Sequence, residues 1–275
     1  MGMPIQNTHV YSLNFSYDQV LIAQDHDDME FMARKLKEEY EKWRLTINLE
    51  KTKYVCIGEE KESLKFDSGQ EIQPSTQCTY LGTKIDQTGD NTTEIKHRIN
   101  QTRKSINALN YIWWHKDITK NRKLYIDQTI IQSILMYGAE VWQITTREIN
   151  KILSTEMDAL RRSVRKSRME RIKNEHIKEI IGVKEKPDII DIIERKRLQW
   201  YGHVKRMQEE RIPKLIMEWI PGERRKTGRP RKTQMEGVRE AMKIRHLEAD
   251  QWLNRKEWCL GSGRRRQLSQ DRKDR

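Results

Sequence analysis

Asp18 lies where two short apolar runs, Val10–Ser16 and Gln19–Ala23, meet at Tyr17-Asp18. A carboxylate at the tip of a hairpin is a hard oxygen ligand, and with further carboxylates beside it such a group holds divalent cations. A different chemistry is written into residues 161–173. Arg161, Arg162, Arg165, Lys166, Arg168, Arg171 and Lys173 are set against the single acid Glu170. That density of cations neutralises phosphates, and it also suits a nuclear-import signal; the two readings are compatible. Trp113-Trp114-His115-Lys116 places two indoles beside basic groups. One ring is expected in a core, and the other is left open as a stacking surface for a base or sugar. Asp25, Asp27 and Asp28 form a second acidic cluster, read as the cap of a helix start in preference to a metal site.

Charge is unevenly spread over the 275 residues. Residues 1–100 carry 12 Lys and Arg against 17 Asp and Glu, whereas residues 101–275 carry 42 against 24, and the whole chain is +13. An acidic front part joined to a strongly basic back part points to a polyanion partner, RNA or DNA. Mean hydropathy is −0.94. No run approaches the roughly 18 apolar residues that span a bilayer, so no membrane contact is expected. Met1–Asn7 has neither the basic end nor the apolar run of a secretory leader. Three scattered cysteines, Cys56, Cys78 and Cys259, do not make a disulfide framework, and the expected setting is intracellular, nucleus or cytoplasm. Among the C-terminal residues Cys259 and His203 have no ligand partners at zinc spacing. His203 is expected to pack with Trp200, Tyr201 and Val204. Gly-rich phosphate loops and Ser/His/Asp or Cys/His sets are lacking, which argues against a hydrolase, kinase or oxidoreductase.

These groups need elements to hold them. After the hairpin, Met29, Met32, Leu36, Tyr40 and Trp43 form one face of a helix. Leu45–Asn48, Lys53–Ile57 and Thr79–Ile85 read as strands, with a hairpin around Ser68-Gly69. From Asn91 the pattern is helical. Asn91 with Glu94 resembles a capping box, and Ile95, Ile99, Thr102, Ile106 and Leu109 mark a buried side. Further helices are expected over Thr119–Trp142 (Leu124, Ile131, Leu135 and Gly138 inward), Arg147–Arg165, Asn174–Ile181 stopped by Gly182, and Pro187–Gln208. Two short helices follow a Pro- and Gly-bearing basic segment.

The sequence also resembles a known family. Phe15-Ser16-Tyr17-Asp18-Gln19-Val20-Leu21-Ile22-Ala23 is similar to the [FY]-A-D-D-x-x-[LV] box of non-LTR (LINE-type) retrotransposon reverse transcriptases. Trp43-Arg44-Leu45-Thr46-Ile47-Asn48 with Lys51-Thr52-Lys53 resembles the next palm motif, and Tyr80-Leu81-Gly82 the primer grip. Leu135–Trp142 resembles the thumb-region Y-G-x-E-x-W. Leu198–Met207 and Gly228-Arg229-Pro230-Arg231 resemble the L-x-W-x-G-H-V-x-R-M and G-R-P-[RK] segments. The six boxes keep the family order across about residues 10–260.

The resemblance implies an α+β chain: a partial palm of hairpin, helix and strands over 1–90, an all-α thumb over 91–182, a basic helical region over 183–260 with a linker at 221–233, and a disordered basic tail over 261–275. It implies RNA-directed DNA synthesis from deoxynucleoside triphosphates with magnesium, and no other small-molecule substrate. Tyr17 replaces the family's first hairpin Asp, and a phenol, with an ordinary pKa of about 10, is a poor magnesium ligand. The family's fingers and the palm strand bearing a third carboxylate would precede Met1. The expectation is therefore a chain that does not polymerise alone. Asp18 is its surviving catalytic-type and metal-ligand position, Tyr17 its degenerate one, and Lys51, Tyr80, Leu81 and Gly82 its palm and primer-grip positions. Nucleic-acid contacts are expected from Arg161, Arg162, Arg165, Lys166 and Arg168, and from Arg224, Arg225, Arg229, Arg231 and Lys232. The second cluster flanks a Gly-Arg-Pro similar to an AT-hook core, which lets arginine enter a narrow minor groove, or is a plain basic linker. Two alternatives stay open: a non-catalytic basic helical nucleic-acid-binding module, and a chain with little stable structure because half a palm leaves open sheet edges.

Overall fold

Asp25 sets the first helix: its carboxylate accepts the Asp28 backbone N–H at 2.8 Å and caps α1, His26–Lys42. The acidic cluster thus serves the helix start, with Asp27 and Asp28 in the first turn where the dipole favours them. The computed structural model describes residues 1–58, 62–219 and 233–264. They divide into two compact units, one built from 1–94 and 208–219, the other from 95–207 and 233–264. The first division falls between residues 94 and 95, four residues past the expected boundary at 90, and neither unit is divided at 182.

In the first unit the strands form four separate antiparallel hairpins: β1 Met3–Ile5 with β2 Thr8–Val10, β3 Ser12–Phe15 with β4 Asp18–Leu21, β5 Leu64–Lys65 with β6 Glu71–Ile72, and β7 Gln77–Tyr80 with β8 Thr83–Asp86. The β5–β6 pair is the hairpin expected around Ser68-Gly69. A small core of Ala33, Tyr54, Leu64, Phe66 and Ile72 packs α1 onto it. Leu45–Asn48 and Lys53–Ile57 do not form strands. Tyr54 makes one isolated bridge, to Pro74, and a residue without an N–H cannot extend a ladder. Thr79–Ile85 is not one strand but a hairpin. Leu81 and Gly82 take φ +47° and +78°, as a two-residue I′-type turn demands.

The second unit is helical: α2 Thr92–Ala108, α3 Asn110–Trp114, α4 Lys120–Ile126, one π-helical turn Asp127–Ile131, α5 Gln132–Leu135, α6 Thr146–Ser163, α7 Asn174–Ile181 and α8 Ile189–Lys205. α9, Ile212–Glu218, belongs to the first unit, and α10 Gln234–Ile244 and α11 Arg255–Ser262 complete the second. The main core joins Ile95, Ile99, Leu135, Trp142, Ile152 and Ile193, so α2, α5, α6 and α8 share one interior. Residues 95–182 and 183–205 are therefore one body rather than two regions. The helix expected over Thr119–Trp142 stops at Leu135, because Gly138 turns the chain at φ +69°. Gly182 ends α7 at φ +80°, as its position implied. Residues 261–264 of the expected tail are ordered: Gly261 and Ser262 are buried in α11, and the Arg264 carbonyl accepts Arg245 Nε at 3.1 Å. The rest of that tail, 265–275, and nearly all of the 221–233 linker lie outside the described residues.

Candidate nucleic-acid interface

The Trp113-Trp114 pair divides as a core ring and a surface ring. Trp113 is fully buried with Ile106, Ile131 and Ala159, and its Nε1 donates to the Ile106 carbonyl at 3.0 Å. Trp114 is 40% exposed. Its Nε1 donates to Asn110 Oδ1 at 3.1 Å, and Arg162 Nη1 donates to the same oxygen at 2.9 Å. One amide thus ties an exposed indole to a guanidinium 52 residues away in the chain.

Lys123 positions α3 against the end of α6. Its buried ammonium donates to the carbonyls of Trp113 (2.7 Å), His115 (2.9 Å) and Ser163 (3.4 Å). These are C-terminal helix carbonyls, which lack intrahelical partners and carry the negative end of the dipole. Burial pushes the Lys123 ammonium below its ordinary pKa, and the Arg165 charge adds to this.

Two depressions meet at Asn110 and Trp114. One, about 510 Å³, is lined by Tyr111, His115, Lys116 and Asp117; the other, about 300 Å³, by Arg161, Arg162, Lys166 and Arg168 with Asp158. Asp158 pairs with Arg162 at 3.2 Å and with Arg168 at 3.5 Å, holding both guanidinia at the rim. Lys166 pairs with Glu170 at 2.8 Å, which with a backbone N–H holds the Glu170 carboxyl below its ordinary pKa. Arg161 donates to Asn174 Oδ1 at 2.8 Å. Arg165 is exposed beside them at φ +57°, in the turn that follows α6. Four of the expected phosphate-binding residues, Arg161, Arg162, Lys166 and Arg168, therefore line one depression. Arg224, Arg225, Arg229, Arg231 and Lys232 lie outside the described residues. Asn110 and Tyr111 were missed in the sequence, although Asn110 stands one helical turn before Trp114, a spacing that puts both on one face.

The polymerase-like positions sit in the first unit. The hairpin turn falls on Ser16-Tyr17, with Ser16 at φ +53°, and Asp18 opens β4 opposite Phe15. Tyr17 is fully exposed and Asp18 is exposed. Tyr80, at the β7 end of the Leu81-Gly82 turn, donates its hydroxyl to the Leu13 carbonyl at 3.3 Å, bringing the primer-grip-like segment to the Asp18 hairpin. Lys51 lies in an exposed turn, its N–H directed at Asn48. These residues do not fit a two-magnesium site. Beside Asp18 stands the Tyr17 phenol, and among the described residues no three His, Cys, Asp or Glu side chains converge on a point that could hold an ion. No step is therefore assigned to a metal.

The motif residues of the helical unit build corners. Trp142 is buried, and its carbonyl accepts Arg197 Nη2 at 2.8 Å. Arg98 stacks over the Tyr137 ring at 4.4 Å. Leu198, Gly202 and Val204 are buried, whereas His203 is exposed with its ring against Trp200, not in the core.

The fold and groove together define a chain of small β-hairpins and a helical unit carrying a basic, aromatic face. It is 24% identical over 277 residues, 93% of its own length and 96% of the relative's, to an uncharacterized transposon-derived protein of Caenorhabditis elegans. This likeness suggests a transposon origin. No protein-family model and no solved structure matches the chain. Among the described residues no helix is long and apolar enough to cross a membrane.

Proposed function

We propose that this chain descends from a non-LTR retrotransposon reverse transcriptase, does not polymerise alone, and retains binding to RNA or DNA through its helical unit. The ordered motifs from Phe15 to Arg231 support the ancestry, as does the nearly full-length likeness to a transposon-derived protein. The binding role is carried by one observation: Arg162 and Trp114 share the Asn110 oxygen, so the cation cluster and an exposed ring act as one surface. The lone, exposed Asp18 with Tyr17 beside it favours binding without catalysis.

A primer-extension assay on the full chain, with magnesium or manganese, tests the catalytic half. No incorporation is expected. Incorporation that disappears in Asp18→Ala would overturn it.

A further inference from the structure

We propose that the two depressions meeting at Asn110 and Trp114 form a site for unpaired nucleotides of a single strand, with bases stacked on Trp114 and Tyr111 and phosphates held by Arg162, Lys166 and Arg168. The proposal rests on the nucleic-acid reading above and narrows it from a charged surface to a strand-selective site.

Three observations converge. Tyr111 is 77% exposed and Trp114 40% exposed, on the same short helix and in the same depression, while the neighbouring indole of Trp113 is fully buried. The core thus has room for one indole and leaves its neighbour at the surface. Trp114 is held in place by Asn110 rather than left to rotate, and a pre-oriented ring loses less entropy on stacking. Finally, the second depression supplies four cations against Asp158, whose carboxylate is already engaged by Arg162 and Arg168. Glu170 offsets Lys166 at the edge. The balance remains positive and suits a phosphate backbone.

Why a single strand follows from the faces on offer. Bases inside a duplex are stacked on each other and present only their edges and phosphates. An exposed aromatic face gains only from a base that is unstacked, and base–aromatic stacking contributes about 1–3 kcal/mol per base, whatever the base. Cations alone would not discriminate, because phosphates are common to both forms.

The test is fluorescence anisotropy with the full chain and labelled oligonucleotides about 16 nucleotides long, single-stranded or as a blunt duplex, in DNA and RNA versions. Trp114→Ala is expected to weaken single-strand binding by roughly tenfold or more and to leave duplex binding nearly unchanged, with Trp114→Phe, which keeps a ring but loses the Asn110 hydrogen bond, in between. Tyr111→Ala, at a solvent-facing ring that touches no core, gives the same loss without risk to folding. This pattern with DNA or RNA supports the site. Salt-sensitive binding that is equal for single strand and duplex and indifferent to both alanine variants would overturn the site and leave the broader binding reading standing. Binding to neither form would overturn both, and equal displacement by polyglutamate would overturn the site in favour of an acidic-peptide surface.

Discussion

The Trp258 indole occupies the space where a side chain on Gly202 would begin: a Cβ there would fall 2.2 Å from Nε1. The same Nε1 donates to the Leu198 carbonyl at 2.9 Å, one turn earlier in α8. The Leu198–Met207 motif therefore works as a docking face for α10 and α11, with Leu198, Val238, Ala241, Met242, Leu247 and Trp258 as its core. Gly202→Ala forces the indole or the helix aside, and overpacking of this kind costs about 1–3 kcal/mol. A lower thermal midpoint by circular dichroism is expected. An unchanged midpoint would show that α11 does not pack as described.

Lys123→Met removes the ammonium that serves three helix-end carbonyls at once. Each buried acceptor left unpaired costs about 1–3 kcal/mol, so a loss of roughly 3 kcal/mol or more is expected in urea denaturation. Since the same lysine sets α3 against α6, nucleic-acid affinity should fall as well.

Two buried acids give the helical unit a pH dependence. Burial pushes the Asp127 carboxyl up to about 7, against a stabilising hydrogen bond from Gln132. Burial also pushes the Glu156 carboxyl up to about 8; Asp188 and Asp127 add to this, while Lys178 and the Ile189 N–H oppose it. Both folded-state values lie above those of the unfolded chain. The folded state therefore holds more protons between about pH 4 and pH 8, and stability falls as pH rises through that window. Denaturation midpoints should drop from about pH 5 to about pH 8 in the parent and less steeply in Glu156→Gln. Equal slopes in parent and variant would refute it.

Leu81 holds a left-handed conformation that suits Asn or Gly better, at a cost of about 1–2 kcal/mol. Leu81→Asn should raise the melting temperature of the first unit by a few degrees. A destabilised variant would mean that Leu81 packing outweighs the strain.

Helix ends marked by glycine were legible from sequence: Gly182 stops α7 where expected, and the Ile95–Ile106 stripe is buried. Gly138 was read as an inward helical residue, because a glycine within a long apolar pattern does not announce its φ; it instead ends the run. The β7–β8 turn was hidden because leucine is an unusual residue for a left-handed position. The acidic cluster and the split of Trp113 from Trp114 were anticipated in kind, but which indole faces out depends on packing against α6. The groove was only half legible. Its cations form a run, whereas its ring and amide come from an earlier stretch of chain, and only the fold brings Asn110 to Arg162, 52 residues on.

The most direct test of the binding claim is the affinity of the full chain for a single-stranded oligonucleotide as a function of salt. If about four phosphates are neutralised, affinity should fall roughly 50-fold between about 50 and about 200 mM salt. Replacing Arg162, Lys166 and Arg168 together by alanine should flatten the log–log slope by about two. Affinity that does not change with salt, or a slope untouched by the triple variant, would contradict the account.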